Sequence, residues 1–148
     1  MRKKMFVSLI STLLIAALLV GCGGRPDTLR AYMDANPDEW AEVQEEAAAE
    51  GAEMSAMFGI DIITSFEIVG DHELAMSFQF TDPVFAADTD VGEMLSDELA
   101  AELMSMTDIY TEIAVDMREA MRIDTLYYSV RYLDADGNVL AERTFQGH

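Results

Sequence analysis

The sequence predicts an α+β domain of two layers. A four-stranded antiparallel sheet, made of two hairpins, carries helices on one face in the order α-α-β-β-α-β-β. Three observations predict it. Two segments alternate apolar and polar residues, each broken once by a glycine-containing turn, which is the pattern of a hairpin with one oily and one wet face. Two other segments repeat apolar residues at steps of three and four, the period of a helix with one buried stripe. The chain beyond a signal-like start, residues 22–148, is long enough for a single core.

Arg2, Lys3 and Lys4 precede an apolar run from Phe6 to Val20. A basic head followed by a run short of the roughly 20 residues of a spanning helix reads as an export signal over residues 1–21. The run ends in Leu19-Val20-Gly21-Cys22, which resembles the lipobox of bacterial lipoproteins. The resemblance implies cleavage between Gly21 and Cys22 and a diacylglycerol thioether on the Cys22 sulfur. Two acyl chains hold a protein stably where one holds it marginally. Cys22 is the sole cysteine, so no disulfide competes for it. Residues 22–26 then form a lipidated tether, in which Gly23 to Pro26 reach about 14 Å when extended. The expected location is the cell membrane, lipid-anchored on the extracytoplasmic face, with the domain over 27–148 close to the bilayer.

Asp27 or Thr28 caps a short helix that runs to Met33. Asn36-Pro37-Asp38-Glu39 restarts it as an N-cap, an N1 proline and a capping-box acid. The second helix sets Trp40, Val43, Ala47, Met54, Met57 and Phe58 near one face and most of its glutamates on the others, and Gly59 ends it. Ile60, Ile62, Phe66 and Ile68, then Leu74, Met76, Phe78 and Phe80, form the first hairpin around Gly70-Asp71-His72, and Asp82-Pro83 stops it. From Asp90 to Arg122 one apolar stripe runs through Val91, Leu95, Leu99, Leu103, Met106, Tyr110, Ile113 and Met117, with Ser105 to Asp108 as the place where it bends or splits. Leu126 to Tyr132 and Val139 to Phe145 form the second hairpin around Asp134-Ala135-Asp136-Gly137-Asn138.

The charge is lopsided. The chain has 9 Lys and Arg against 28 Asp and Glu. Three of the bases lie in the signal-like start, so residues 22–148 carry 6 − 28 = −22 and no lysine. From Ala31 to Met117 there are 22 carboxylates and no base. Such a field repels nucleic acid and anionic lipid heads and attracts a basic protein or peptide.

Thr28-Leu29 and Tyr32 ahead of Asn36-Pro37, the first hairpin, and Tyr132-Leu133-Asp134-Ala135-Asp136-Gly137 together resemble a family of small lipoproteins from gut-dwelling Gram-positive bacteria whose domain has no known function. The likeness covers about residues 27 to 146. It implies the same architecture and brings no catalytic residues.

Site signals are sparse. Counted from Asp134, a calcium-binding EF-hand loop would need glycine sixth and glutamate twelfth; Gly137 is fourth and Phe145 twelfth, so the segment reads as a turn. Asp88, Asp90 and Glu93 are candidates to clasp calcium, but Asp90 and Glu93 are also spaced as N-cap and N3 of the long helix. No metal and no cofactor other than the Cys22 lipid is assigned. His72 reads as a solvated turn residue, and His148 is terminal. The strand registers put Asp61, Ile63, Glu67, Val69, Gln79, Tyr127, Arg131 and Glu142 on the sheet face turned away from the helices, with Tyr127, Arg131, Glu67 and Gln79 as the candidate binding face. The expectation is a membrane-anchored binding or interaction module that is not an enzyme, with a structural envelope protein and a carboxylate-dependent hydrolase as its rivals.

Overall fold

The computed structural model describes residues 27–148. The export signal, Gly21, Cys22 and the tether lie outside the described residues. Helix α1 spans Leu29–Ala35, with the Thr28 hydroxyl accepting from the Ala31 N–H as its N-cap. Helix α2 spans Pro37–Phe58 and ends at Gly59, whose φ of 66° is the left-handed conformation that a glycine adopts without strain. Asn36 does not cap α2 with its side chain. Its Nδ2 donates to the Tyr32 carbonyl, and Glu39 is taken by the Tyr32 hydroxyl.

Strands β1 (Ile62–Val69) and β2 (Glu73–Phe80) form the first hairpin. A 3-10 turn (Pro83–Phe85) follows. Helices α3 (Asp90–Ser105) and α4 (Thr107–Met121) come next, then β3 (Leu126–Leu133) and β4 (Val139–Gly147). The helices lie on one side of a four-stranded sheet in the order β1-β2-β3-β4. Two of the predicted features are corrected, the element order and the all-antiparallel sheet. The stripe from 90 to 122 splits at Met106, inside the Ser105 to Asp108 segment expected to bend or split, so the order is α-α-β-β-α-α-β-β. The sheet is mixed, because β2 and β3 run parallel.

Both corrections have one cause. The connection from β2 to β3 starts at one end of the sheet and finishes at the other, which makes the two strands parallel. An eight-residue strand is about 26 Å long, whereas an unbroken 32-residue helix would be about 48 Å. Bending at Met106 fits the crossover to the sheet.

The core is the layer between. Leu74, Met76, Phe78 and Phe80 of β2 alternate inward beside Tyr128 and Val130 of β3. Phe78 stacks on Tyr132 at 5.2 Å, and Tyr110 of α4 packs on Phe145 at 5.0 Å and Tyr128 at 5.9 Å. Leu99, Leu103, Met106, Ile113 and Met117 complete the helical side, while Val91 at the start of the stripe is exposed. Met57 and Phe58, in the last turn of α2, are exposed as well.

Helix α2 also closes the outer edge of β1. Gln44 donates to the Phe66 carbonyl at 2.6 Å and accepts from its N–H at 3.4 Å. Ser55 does the same for Ile62, at 3.1 and 2.8 Å. Between them Gly51 lies so close that an added Cβ would meet the Thr64 nitrogen at 2.9 Å. Arg30 of α1 donates to the Ile68 and Gly70 carbonyls. An edge strand dressed in this way offers no ladder to another chain. Gln44→Ala is expected to cost about 1 kcal/mol in urea unfolding, and the Gln44→Ala, Ser55→Ala pair to associate with rising concentration in gel filtration. A pair variant that stays monomeric would show that the edge is protected by other means.

Candidate functional site

The sheet face turned away from the helices carries no second layer among the described residues. Alternation dictates its content, because residues two apart on a strand share a face. The registers set Glu67, Ala75, Ser129 and Thr144 in one row across the four strands, and Ser65, Ser77, Arg131 and Glu142 in the next. The four candidate residues Tyr127, Arg131, Glu67 and Gln79 all fall on this face.

Their chemistry differs. Arg131 sits at the centre with its side chain 21% exposed, 3.1 Å from Glu73 and 3.0 Å from Glu142. The Glu73 contact is an aligned hydrogen bond; the Nε contact with Glu142 is an ion pair whose N–H points elsewhere. Glu73 also accepts from the Ser129 hydroxyl at 2.6 Å, and Ser129 pairs with Thr144 at 2.8 Å. Gln79 donates to the Asp134 and Ala135 carbonyls. Arg131 and Gln79 are therefore engaged within the domain, whereas Glu67 is exposed and Tyr127 half-buried. Ile63 and Val139 stand exposed at the two ends of the last row.

Asp134 is buried and fully committed. Its carboxylate accepts from the N–H groups of Ala87, Asp136 and Asn138 and from the Asn138 side chain, all within 3.0 Å. The Ala87 N–H, ahead of the other three donors, holds this carboxyl below the usual aspartate range although burial works against it. With Gly137 at φ 85° the segment is a turn, as the sequence indicated. Asp88, Asp90 and Glu93 do not converge; among the described residues no group of three or more His, Cys, Asp or Glu is arranged to hold a metal. Thr89, not Asp90, is the N-cap of α3, with its hydroxyl accepting from the Gly92 N–H. The chain must turn sharply there, since a Cβ on Gly92 would lie 1.9 Å from the Ala86 oxygen. His72 is half-buried, its Nδ1 is shielded without a partner, and its carbonyl accepts from Tyr127.

Two features escaped the sequence reading. Glu50 is buried, with Oε2 unpartnered, and burial ahead of the Glu53 charge raises its pKa. Its place was readable, because 43, 47, 50 and 54 follow the steps of the apolar stripe. The second is an open cleft of about 420 Å³ lined by Arg118, Glu119, Arg122, Ile123 and Asp124 at the end of α4. Its two arginines and two acids balance, and Glu50 does not line it.

The model of a domain of unknown function, DUF4854, matches residues 38–145. The chain belongs to this family. The match falls within the 27 to 146 span of the resemblance and runs from the first turn of α2 into β4 of the described fold. No curated protein and no solved structure matches the DUF4854 chain. Among its described residues no helix is long and apolar enough to cross a membrane.

Proposed function

We propose that this DUF4854 protein is a lipid-anchored interaction module on the extracytoplasmic side of a membrane, and that its partner is a basic protein or peptide. The observation that carries the reading is the uncovered sheet face of a strongly acidic domain. Glu67, Glu73 and Glu142 stand there against one arginine, Arg131. Open sheet faces and exposed patches are where such domains meet partners. The anchor rests on the Leu19-Val20-Gly21-Cys22 segment. A hydrolase needs its raised-pKa carboxylate inside a cleft. Here the raised carboxylate, Glu50, is sealed in the core away from the Arg118–Asp124 cleft, which favours binding over hydrolysis.

Intact mass of the chain from its native membrane tests the anchor. Loss of residues 1–21 and two acyl chains on Cys22 are expected, and Cys22→Ala is expected to abolish both. A bare thiol with the first 21 residues still attached would overturn it. Capture from envelope extracts tests the partner. A saturable basic protein, released by salt and lost in Glu67→Lys, is expected, whereas equal capture by Glu67→Lys would move weight to a structural envelope role.

A further inference from the structure

The proposed interaction role, on which this inference rests, starts from the uncovered sheet face, and the surface chemistry of one end of the domain, joined to that face through Ile63 and Val139, extends the contact. Eight large apolar side chains are exposed among the described residues, and all but Met104 belong to that end. Met57 and Phe58 close α2, Val84 lies in the 3-10 turn, Val91 and Met94 lie in the first turns of α3, and Val139 opens β4 beside the row that ends in Ile63. The topology gathers these pieces. Strands β1 and β4 start on this side, and β2 and β3 end there. Ser55 ties the end of α2 to Ile62, and the Ala87 N–H ties the start of α3 to Asp134 in the last hairpin turn.

The loops of this end carry Asp61, Asp82, Asp88 and Asp136 and the first turn of α3 carries Asp90 and Glu93, all exposed, and no Lys or Arg stands between Ala31 and Met117. The opposite end holds α1, where Arg30 binds the β1–β2 turn, and the Arg118–Asp124 cleft. The acid-ringed apolar end therefore lies a strand length, about 26 Å, from the first described helix.

We propose that this end is the docking site for a cationic amphipathic segment of another protein. The apolar face of that segment rests on Met57, Val84, Met94 and Val139, and its Lys and Arg residues meet the surrounding carboxylates. Apolar exposure alone would equally suit a second copy or a membrane, and charge decides between them. A second copy would bring another acidic ring against the first, and anionic lipid heads are repelled in the same way. Flexible methionines suit a helical partner that must seat several side chains at once.

The test uses the full-length chain in nanodiscs of zwitterionic lipid, with empty discs as background. The probe is a synthetic 18-residue peptide with Leu and Lys at helical spacing, followed by its fluorescence. Saturable binding is expected, weakened at least tenfold by Met57→Glu or Met94→Glu and by raising salt from 50 to 300 mM. Met104→Glu, at a site 66% exposed on the same α3 but away from this end, is expected to bind within twofold of the parent. The same peptide with Glu in place of Lys is expected not to bind. Unchanged binding in both end variants, equal loss in Met104→Glu, equal binding of the Glu peptide, or no binding by the parent chain would each overturn the docking site. The envelope capture with Glu67→Lys still decides the broader reading, so the two failures are distinguishable.

Discussion

Asp134→Ala is expected to lower the stability of the domain by roughly 3 kcal/mol at pH 7, read from the urea midpoint. The side chain is 1% exposed, and four N–H donors converge on it. Two of those donors belong to backbone inside the β3–β4 turn, and one, at Ala87, belongs to the connection that leads into α3. Truncation leaves buried donors without an acceptor and unties the hairpin from the helix in one step. Asp134→Asn keeps the shape but turns an NH₂ group toward donors, so about 2 kcal/mol is expected. The pH dependence carries the same signature. The folded-state pKa is depressed, so the contribution is fully present above the ordinary aspartate value of about 3.9 and is lost as pH falls through the lower folded value. The gap between parent and Asp134→Asn should therefore narrow in strong acid. Identical urea midpoints at pH 7 would show that the four hydrogen bonds do not hold the turn.

The residues show why some of this architecture was legible and some was not. Period-two alternation assigns each strand residue to a face whatever its neighbour, so Tyr127, Arg131, Glu67 and Gln79 could be set on the outer face before any pairing was known. Alternation carries no information about direction, and the parallel pairing of β2 with β3 was invisible to it. The stripe from Val91 to Met117 runs through Met106 in phase, because a helix that breaks and restarts with its buried side unchanged leaves no gap in the pattern. Gln44 and Ser55 look like ordinary polar positions of an amphipathic helix. Their role appears only when β1 lies beside them with its Phe66 and Ile62 backbone groups turned outward. The candidate contact surface divides in the same way. The acidity is plain from composition, whereas the placing of Met57, Val84, Met94 and Val139 at one end depends on which ends of the strands coincide.

Glu50 supplies the second large effect, and its sign is opposite. A buried carboxylate with Oε2 unpartnered opposes folding whenever it is ionised. Glu53 on its own helix adds like charge. From α3 the Glu102 charge acts on the same interior, where burial first and then Glu102 and Glu50 push the Tyr110 hydroxyl of α4 up to about 12. None of these groups supplies Glu50 with a compensating cation. Its folded-state pKa is raised, so its contribution to stability is fully present below the unfolded glutamate value of about 4.3 and is lost as pH rises through the folded value. Glu50→Met, which continues the apolar stripe between Ala47 and Met54, is expected to gain about 2 kcal/mol at pH 7.5. Glu50→Gln, which removes the charge but keeps the polar end, is expected to gain less, and its gain should be smaller at pH 4, below the unfolded value, than at pH 7.5. Thermal unfolding at the two pH values separates the cases. A Glu50→Gln gain that is equal at pH 4 and pH 7.5 would mean that packing rather than charge sets the penalty. A loss at pH 7.5 would mean that the carboxylate is held by a partner and that its burial serves the fold.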